Sequence, residues 1–177
     1  MSRIQLKDKV FVPYISEEEI QAAIEKMAIR MQEEIGDKNP VFIGILSGCF
    51  LFASDLIRRF KGDCEVAFVR LSSYSGTSST GQVAELMGLE EDITGRTVVV
   101  IEDIVDTGLT LEKILALLGK YNPSEIRIAT LLMKPEAYKG NRKIEYVGVE
   151  IPNKFVVGYG LDYDGLGRNI PAIYQIV

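Results

Sequence analysis

The sequence predicts an α/β protein with a central, mostly parallel sheet flanked by helices. Continuous apolar runs rich in β-branched residues occur at 41–46 and 98–101, and a largely apolar run, interrupted by Arg127 and Thr130, occurs at 126–133. Such runs are typical of strands buried on both faces. Helical patterns at 50–60 and 111–120 lie between them. Because strands that alternate with helices form parallel sheets, these observations together indicate the fold class.

The composition is that of one ordinary globular domain. The chain has 177 residues, of which 47% are hydrophobic and 25% charged, and its net charge is −5. An acidic chain of this kind argues against a broad nucleic-acid-binding surface. No apolar run approaches the roughly 18 residues of a membrane helix, and the N-terminal residues lack the apolar core of a signal peptide. We therefore expect a cytoplasmic protein with neither nucleic-acid nor membrane partners.

The chain contains no histidine and two cysteines, Cys49 and Cys64. Neither cysteine has metal-ligand spacing, so we interpret both as core residues in a reducing compartment. The absence of histidine excludes histidine-based catalytic triads and histidine zinc sites. A general base would have to be a carboxylate, a lysine or a tyrosine.

The first helix is predicted over residues 16–35. Ser16 and Glu19 have the spacing of a capping box, and apolar residues recur at helical spacing until Gly36 ends the pattern. We interpret the apolar stripe of this helix as core packing.

Small residues follow the apolar run 41–46. Ser47 and Gly48 would lie at the tip of a parallel strand, where small residues let backbone amides approach an anion. An ordinary tight turn is an equally good interpretation. A third strand is predicted at 64–71.

A segment rich in serine, threonine and glycine follows that third strand, at about 72–83. Such a composition usually marks a linker, but α/β elements are predicted on both sides of it. We interpret it as a flexible lid on one domain, with its single aromatic residue, Tyr74, as the closing contact. An inert loop is the alternative.

Three acids follow the strand at 98–101: Glu102, Asp103 and Asp106. Ligands of open α/β sheets bind at the carboxyl ends of the strands, where these acids would lie. Glu102 and Asp103 offer acceptors for two sugar hydroxyls or an outer shell for Mg²⁺, and Asp106 could exchange a proton with a ligand.

The next four residues suit a phosphate group, because they combine free amides at a helix start with two hydroxyls. They are Thr107, Gly108, Leu109 and Thr110. A phosphate site beside a diol site suggests a ribose 5-phosphate. The alternative is that the acids only cap the helix and complement its dipole.

The chain changes character after Lys134, which ends the run at 126–133. Beyond residue 136, proline, glycine and aromatic residues are frequent and helical spacing is absent. We predict short strands and loops at 146–149, 155–159 and 171–177 that form a small cap, or hood, over the sheet. Phe155 could stack on a planar ring, although an ordinary core aromatic is the default interpretation.

Two stretches resemble a known family. The acidic stretch with Thr107-Gly108-Leu109-Thr110 resembles the phosphoribosyl-pyrophosphate-binding motif of type I phosphoribosyltransferases. The stretch 154–163, Lys-Phe-Val-Val-Gly-Tyr-Gly-Leu-Asp-Tyr, read after Leu-Leu-Met-Lys at 131–134, resembles the hypoxanthine-guanine phosphoribosyltransferases. Matches run in the right order from about residue 41 onwards.

The resemblance implies one domain, 1–177, with the type I phosphoribosyltransferase fold. Its core would be about 37–135, its hood about 1–15 and 136–177, and its lid about 72–83. The family transfers a 5-phosphoribosyl group from phosphoribosyl pyrophosphate to a purine, with Mg²⁺, and releases pyrophosphate. We expect purine salvage from hypoxanthine to IMP, and from guanine to GMP, by a homodimer or homotetramer.

The resemblance also implies roles for individual residues. Asp106 would be the general base, and Lys134 would donate to the 6-oxo group of the purine. Residues 106–110 would bind the 5-phosphate, and Glu102 and Asp103 the ribose hydroxyls. Ser47, Gly48 and Arg168 would bind pyrophosphate, and Phe155, Val156 and Asp162 the base. Asp162 would hold Mg²⁺ with Glu102 and Asp103, and Ser73 and Tyr74 would close the lid.

One turn departs from the family pattern. Many relatives have Leu-Lys-Gly where this chain has Leu46-Ser47-Gly48, so the role of that lysine side chain has no counterpart in this turn. Family structures often contain a cis peptide there, which we expect at Leu46-Ser47.

Three other functions are compatible with parts of the sequence. A xanthine-preferring or pyrimidine-related transferase is the alternative within the superfamily, although Lys134 and Phe155 argue against the pyrimidine version. A regulatory homologue could bind nucleotides and RNA, which the acidic balance disfavours. The acids also resemble the acidic pocket of a phosphoacceptor receiver domain. In receiver domains such acids lie near the start of the chain, whereas about a hundred residues precede them here.

Overall fold

The computed structural model describes residues 2–74 and 83–177, without the side chains of 72–74 and 83–87. These residues form ten strands and three helices. In chain order they are β1 (Ile4–Leu6), β2 (Lys9–Ile15), α1 (Glu17–Ile35), β3 (Val41–Ile45), α2 (Phe50–Ile57), β4 (Glu65–Tyr74), β5 (Val83–Met87), β6 (Thr97–Val105), α3 (Leu109–Gly119), β7 (Glu125–Met133), β8 (Tyr146–Glu150), β9 (Val156–Val157) and β10 (Ile173–Ile176).

The larger sheet has six strands in the order β5-β4-β3-β6-β7-β8. Five of these strands, β4, β3, β6, β7 and β8, are parallel, and β5 pairs antiparallel with β4 at one edge. Every residue of β3 is buried, as are the first six of β6, which explains their continuous apolar sequences. The predicted α/β class with a mostly parallel sheet is confirmed.

Helix α1 packs one apolar stripe into the core, as predicted. Its buried residues include Ile20, Ile24 and Met31, all fully inaccessible. The capping box is confirmed: the Glu19 N–H donates to Ser16 Oγ at 3.2 Å, and the Ser16 N–H donates to Glu19 Oε2 at 2.8 Å. This local signal identifies the start of the helix without help from the rest of the fold.

A second, antiparallel sheet in the order β1-β2-β10-β9 forms the hood. It joins residues 4–15 to residues 156–176 around the buried side chains of Phe11, Val157 and Tyr174. Among the described residues, no helix has the length and apolar character needed to cross a membrane.

The assignment of residues 146–149 to the cap was wrong. They belong to β8, which pairs in parallel with β7 and forms an edge of the larger sheet. Tyr146 is buried in the main core, with Val149 packed against that core. The connection from β7 contains no helix, so the sequence lacks the helical pattern that usually announces another parallel strand.

An ionic cluster joins β7 to α1 and to the loop before β3. Arg127 pairs with Glu34 at 2.6 Å and with Glu125 at 3.0 Å, and Lys38 pairs with Glu125 at 2.7 Å. Burial raises the pKa of Glu125, but hydrogen bonds from Lys38, Arg127 and Thr97 outweigh burial and lower it to about 2.

We predict that Glu125 stabilises the fold in a pH-dependent manner. A lowered pKa in the folded state means that the contribution is complete above the ordinary value of 4.5 and is lost as the pH falls towards about 2. In urea unfolding across that range, Glu125→Gln should lose less stability on acidification than the wild type. Glu33→Gln, at an exposed position, is the control. Parallel pH profiles for wild type and Glu125→Gln would contradict the prediction.

Candidate active site

A cleft of about 380 Å³ lies at the carboxyl ends of β3 and β6. Its walls come from the turn after β3, from the end of β6 with the start of α3, and from the hood. The lining residues are Ile45, Leu46, Ser47, Gly48, Glu102, Asp103, Ile104, Val105, Asp106, Thr107, Gly108, Thr110, Leu111, Asp162 and Arg168. Most of the predicted site residues therefore meet in one place, where open α/β sheets bind ligands.

The vicinal acids Glu102 and Asp103 sit deep in this cleft. Glu102 is only 7% exposed, and burial, with a further contribution from the Asp103 charge, raises its pKa well above the usual range. Burial also raises the pKa of Asp103, although the Ile104 N–H donates to Asp103 Oδ1 at 2.8 Å. Two adjacent carboxyls in a desolvated pocket favour a ligand that brings hydroxyl donors or a cation.

The turn formed by residues 46–48, here called the 46–48 turn, contains the predicted non-proline cis peptide between Leu46 and Ser47. Gly48 faces the acids so closely that a Cβ added there would lie 1.5 Å from Asp103 Oδ2. On its other side the Gly48 carbonyl oxygen would lie 2.0 Å from a Cβ added to Gly160 of the hood. Both positions therefore require glycine.

We predict that Gly48→Ala weakens binding at this turn. The new methyl group has to displace either the turn or the Asp103 carboxylate, and misplacement by about 1 Å can cost on the order of 10²-fold in rate. If phosphoribosyl pyrophosphate is the substrate, as the sequence resemblance implies, its KM should rise by at least ~10-fold in steady-state assays. Gly119→Ala, where an added Cβ meets nothing within 4 Å, is the matched control. Equal KM values for the two variants would refute the prediction.

Arg70 is a residue at the cleft that the sequence analysis missed. Its Nη2 donates to Ser47 Oγ at 3.1 Å, so a guanidinium lies beside the turn in which serine replaces the lysine of many relatives. A lone arginine in an apolar strand was the available signal, but the pattern of β4 does not show which neighbouring loop its side chain reaches.

The start of α3 forms the opposite wall. The helix begins at Leu109, two residues earlier than predicted, after Gly108 in the left-handed region at φ 85°. Thr107, Gly108 and Thr110 line the cleft, and the Leu109 N–H is 3.4 Å from Thr107 Oγ1. The Leu109 side chain is 61% exposed and is not among the lining residues. Amides and hydroxyls at this helix start suit an anion.

Lys134 contacts the predicted general base directly. Its Nζ donates to Asp106 Oδ2 at 2.7 Å, and its side chain is only 8% exposed whereas that of Asp106 is 45% exposed. The lysine follows β7, the neighbour of β6 in the sheet, so the two strand ends bring the pair together. A proton acceptor and a cationic donor are thus adjacent at the rim of the cleft.

The hood contributes a second charged pair. Arg168 Nη2 lies 2.6 Å from Asp162 Oδ1, and Arg168 Nη1 donates to the Gly160 carbonyl oxygen at 2.6 Å. The second carboxylate oxygen of Asp162 accepts from the Gly165 N–H at 2.7 Å. These bonds orient both side chains towards the 46–48 turn and the acids, on the same cleft.

Six predicted site residues are not among those that line this cleft: Leu109 and Lys134, described above, and Phe155, Val156, Ser73 and Tyr74. Phe155 lies in the hood, 44% exposed, with its ring centroid 5.9 Å from that of Tyr163. Val156 is buried in β9 opposite Gln175. The predicted lid at 72–83 lies largely outside the described residues, as do the side chains of Ser73 and Tyr74.

Comparisons with known proteins agree with this geometry. A model of the phosphoribosyl transferase domain matches residues 16–164. A hypoxanthine-guanine phosphoribosyltransferase of Staphylococcus epidermidis is 44% identical over 160 residues, covering 90% of this chain and 89% of the relative. A hypoxanthine phosphoribosyltransferase of Salmonella typhimurium is 41% identical over 166 residues, covering 92% of this chain and 93% of the relative.

Solved structures show the same likeness. A crystal structure of a hypoxanthine-guanine phosphoribosyltransferase from Bacillus anthracis superposes with a TM-score of 0.85 at 38% identity, covering 94% of this chain and 98% of that one. The resemblance found in the sequence motifs is thereby confirmed, together with the transferase class and the fold. The chain belongs to the phosphoribosyl transferase family, among the hypoxanthine and hypoxanthine-guanine phosphoribosyltransferases.

Proposed function

We propose that this cleft transfers the 5-phosphoribosyl group of phosphoribosyl pyrophosphate to hypoxanthine and guanine, giving IMP and GMP and releasing pyrophosphate. The names of the relatives support these two bases as acceptors. The observation that carries the proposal is the contact between Lys134 and Asp106, at 2.7 Å, beside the helix start at 107–110. This contact places Lys134, as a hydrogen-bond donor to the base, and Asp106, as a proton acceptor, next to the anion site at 107–110.

The donor substrate would span the cleft. The 5-phosphate binds the amides and hydroxyls of residues 107–110, and the ribose hydroxyls donate to Glu102 and Asp103. Pyrophosphate lies between the 46–48 turn and Arg168, whose guanidinium suits its oxygens. Support comes from the cleft, which all of these residues except Leu109 line. Closure by Ser73 and Tyr74, which the family resemblance implies, would exclude water from the site.

The base would lie on the Lys134 side of the cleft. Lys134 donates to the 6-oxo group, Phe155 stacks on the ring, and the Val156 backbone and Asp162 complete the base contacts. Adenine has an amino group at this position, so two donors would face each other without an acceptor. The exposed face of Phe155 supports a role in stacking.

The reaction forms a glycosidic bond at the ribose anomeric carbon. The bond from that carbon to pyrophosphate breaks, with oxocarbenium character in the transition state, and a bond to the imidazole-side nitrogen of the purine forms. The proton of that nitrogen passes to Asp106, whose side chain is 45% exposed and lines the cleft. Lys134, held against the same carboxylate, orients Asp106 towards the base.

The carboxyl oxygens at the cleft fit the ligand preference of Mg²⁺. Glu102 and Asp103 are buried with raised pKa values, a situation that a divalent cation relieves. The described residues contain no group of three or more His, Cys, Asp or Glu side chains arranged to hold a metal ion. Asp162, Glu102 and Asp103 would hold Mg²⁺ only with substrate oxygens as its further ligands, and the ion would neutralise the pyrophosphate leaving group.

We also propose a homodimer or a homotetramer. Val66 and Phe68 lie on one face of β4 with 38% and 40% of their surfaces exposed, and Leu46 and Phe50 beside the cleft are exposed to 36% and 39%. Apolar surface of this kind indicates an interface. Light scattering should give a dimeric or tetrameric mass that Phe68→Glu lowers. A monomeric wild type would refute the proposal.

The free cysteines Cys49 and Cys64 support a cytoplasmic location. Fractionation of the source cells tests this location, and recovery of the protein in the membrane or secreted fraction would overturn it.

The experiment that tests the function is nucleotide synthesis with phosphoribosyl pyrophosphate and Mg²⁺, with four bases in parallel. We expect product from hypoxanthine and guanine and none from adenine. Product from xanthine would extend the acceptor range. No product from any base, with measurable binding of phosphoribosyl pyrophosphate, would refute the enzyme and favour a regulatory nucleotide-binding protein.

A further inference from the structure

A partly buried hydrogen-bond network joins the hood to the helices α1 and α2. The Tyr159 hydroxyl donates to Asp55 Oδ2, and Gln21 Nε2 donates to the same oxygen at 2.8 Å. Arg59 Nη2 donates in turn to Gln21 Oε1 at 2.7 Å. Tyr159 is only 4% exposed, so the tyrosine reaches from the hood into the helical layer of the core.

The charge states of the central pair suit a strong hydrogen bond. Burial, with the neighbouring Asp55 carboxylate, raises the pKa of Tyr159 above its usual range, so its hydroxyl remains a donor. Burial raises the pKa of Asp55, but hydrogen bonds from Tyr159 and Gln21 outweigh it and leave the pKa below the usual value. A hydroxyl facing an ionised carboxylate is a charge-assisted hydrogen bond.

Tyr159 occupies an unusual backbone position. It is the middle of three consecutive residues with positive φ, Gly158 at 99°, Tyr159 at 47° and Gly160 at 98°, here called the hood turn. Glycine adopts such angles freely, whereas tyrosine does so only where its surroundings hold it. The side-chain bond to Asp55 and the backbone bond from the Tyr159 N–H to the Ile170 carbonyl oxygen, at 2.7 Å, provide that restraint.

The hood turn touches the cleft on its far side. Gly160 packs against the Gly48 carbonyl oxygen, and its own N–H donates to the Arg168 carbonyl oxygen at 3.0 Å. The Arg168 side chain returns to the Gly160 carbonyl oxygen at 2.6 Å. The hood turn therefore contacts the 46–48 turn and also holds the backbone and the guanidinium of Arg168, so it fixes the position of Arg168 relative to the 46–48 turn.

Asp55 is connected to the same region through the core. It lies on α2, which begins at Phe50, two residues after Gly48. The 46–48 turn, which α2 follows, and the hood turn are the two walls of the pyrophosphate region, and they contact each other directly between Gly48 and Gly160. The hydrogen bond between Tyr159 and Asp55 is a second connection between the hood turn and α2.

We propose that Tyr159 and Asp55 are positioning residues for the pyrophosphate half of the site. Their hydrogen bond holds Arg168 and the 46–48 turn at the separation that pyrophosphate requires. Neither side chain lines the cleft, so both act through the backbone of Gly160 and the start of α2. This inference rests on the proposed function and assigns residues to one half of its site.

The test compares the KM values of the two substrates in each variant. Tyr159→Phe should raise the KM for phosphoribosyl pyrophosphate by ~10-fold, because pyrophosphate loses aligned partners, and should leave the KM for hypoxanthine within about 2-fold. Asp55→Ala should reproduce this result. Asp55→Asn, which keeps an acceptor oxygen for the tyrosine, should recover most of the wild-type value.

The matched control is Tyr146→Phe. Tyr146 is also a buried tyrosine, in the edge strand β8, and its hydroxyl also donates to a carboxylate, that of Glu34 at 2.9 Å. Each hydroxyl also accepts one hydrogen bond, Tyr146 from Arg127 Nη1 at 2.8 Å and Tyr159 from Gln21 Nε2 at 3.4 Å. Both variants lose one donated and one accepted hydrogen bond, so both should lose stability to a similar degree. Only Tyr159→Phe should alter the KM for phosphoribosyl pyrophosphate.

Calorimetric binding of magnesium pyrophosphate gives a second readout that does not depend on turnover. We expect Tyr159→Phe to weaken this binding by ~10-fold while Tyr146→Phe matches the wild type. Equal effects of the two variants, or a parallel rise in the KM for both substrates, would overturn the proposal. If the wild type makes no nucleotide, the proposed function fails, while unequal pyrophosphate binding by the two variants still supports the positioning role.

Discussion

Asp106→Asn is expected to lower kcat by roughly 10²–10⁴, the usual contribution of a general base. Asparagine has the shape of aspartate and still accepts the hydrogen bond from Lys134, which lies 2.7 Å from the carboxylate. It cannot take a proton from the purine. The substitution therefore removes the chemistry of this side chain and keeps its packing, so the Kd for phosphoribosyl pyrophosphate should stay within about 2-fold.

Single-turnover and steady-state assays measure this effect, and direct titration of phosphoribosyl pyrophosphate measures the binding. Asp63→Asn, at an exposed aspartate in the loop before β4, is the control and should behave as wild type. A kcat within about 3-fold of wild type for Asp106→Asn would remove this residue from the role of general base.

The second large effect is expected for Lys134. Its ammonium group has three donors, so it can hold Asp106 and still donate to the 6-oxo group of hypoxanthine. Lys134→Met keeps the apolar stem in a position that is almost fully buried and removes the charge. We expect kcat/KM for hypoxanthine to fall on the order of 10²-fold, because the 6-oxo group and Asp106 both lose a charged partner.

The same variant should narrow the preference for hypoxanthine over adenine. Adenine no longer meets an opposing donor, so its kcat/KM should fall less than that of hypoxanthine or should rise. Parallel assays with both bases measure the ratio, and Lys113→Met, on the exposed face of α3, is the control. An unchanged ratio of the two kcat/KM values would show that Lys134 does not read the base.

Local sequence patterns were sufficient for helix α1, for the central strands β3 and β6 and for the acidic half of the site. The capping box at Ser16 and Glu19 starts α1 because its hydrogen bonds join residues three apart. The apolar runs of β3 and β6 require a sheet covered on both faces. The acids and the helix start at 102–110 lie together because one strand end and one helix start bring them there.

The sheet edges and the hood depended on pairings between distant residues. β8 was predicted as part of the cap, because its five residues have no pattern that distinguishes an edge strand of the core from a hood strand. Its place follows from pairing with β7. The hood sheet likewise joins β2 to β10, and such registers depend on buried faces that assemble only in the folded chain.

The contacts that complete the site are also long-range. Ser47 and Arg70 are 23 positions apart, Asp106 and Lys134 are 28 apart, and Asp55 and Tyr159 are 104 apart. Residue types and local spacing predicted the chemical groups of the cleft, since hydrogen-bonding capacity belongs to the side chain. Which groups meet was decided by strand order and hood packing, because a side chain reaches only the few ångströms around its own place in the fold.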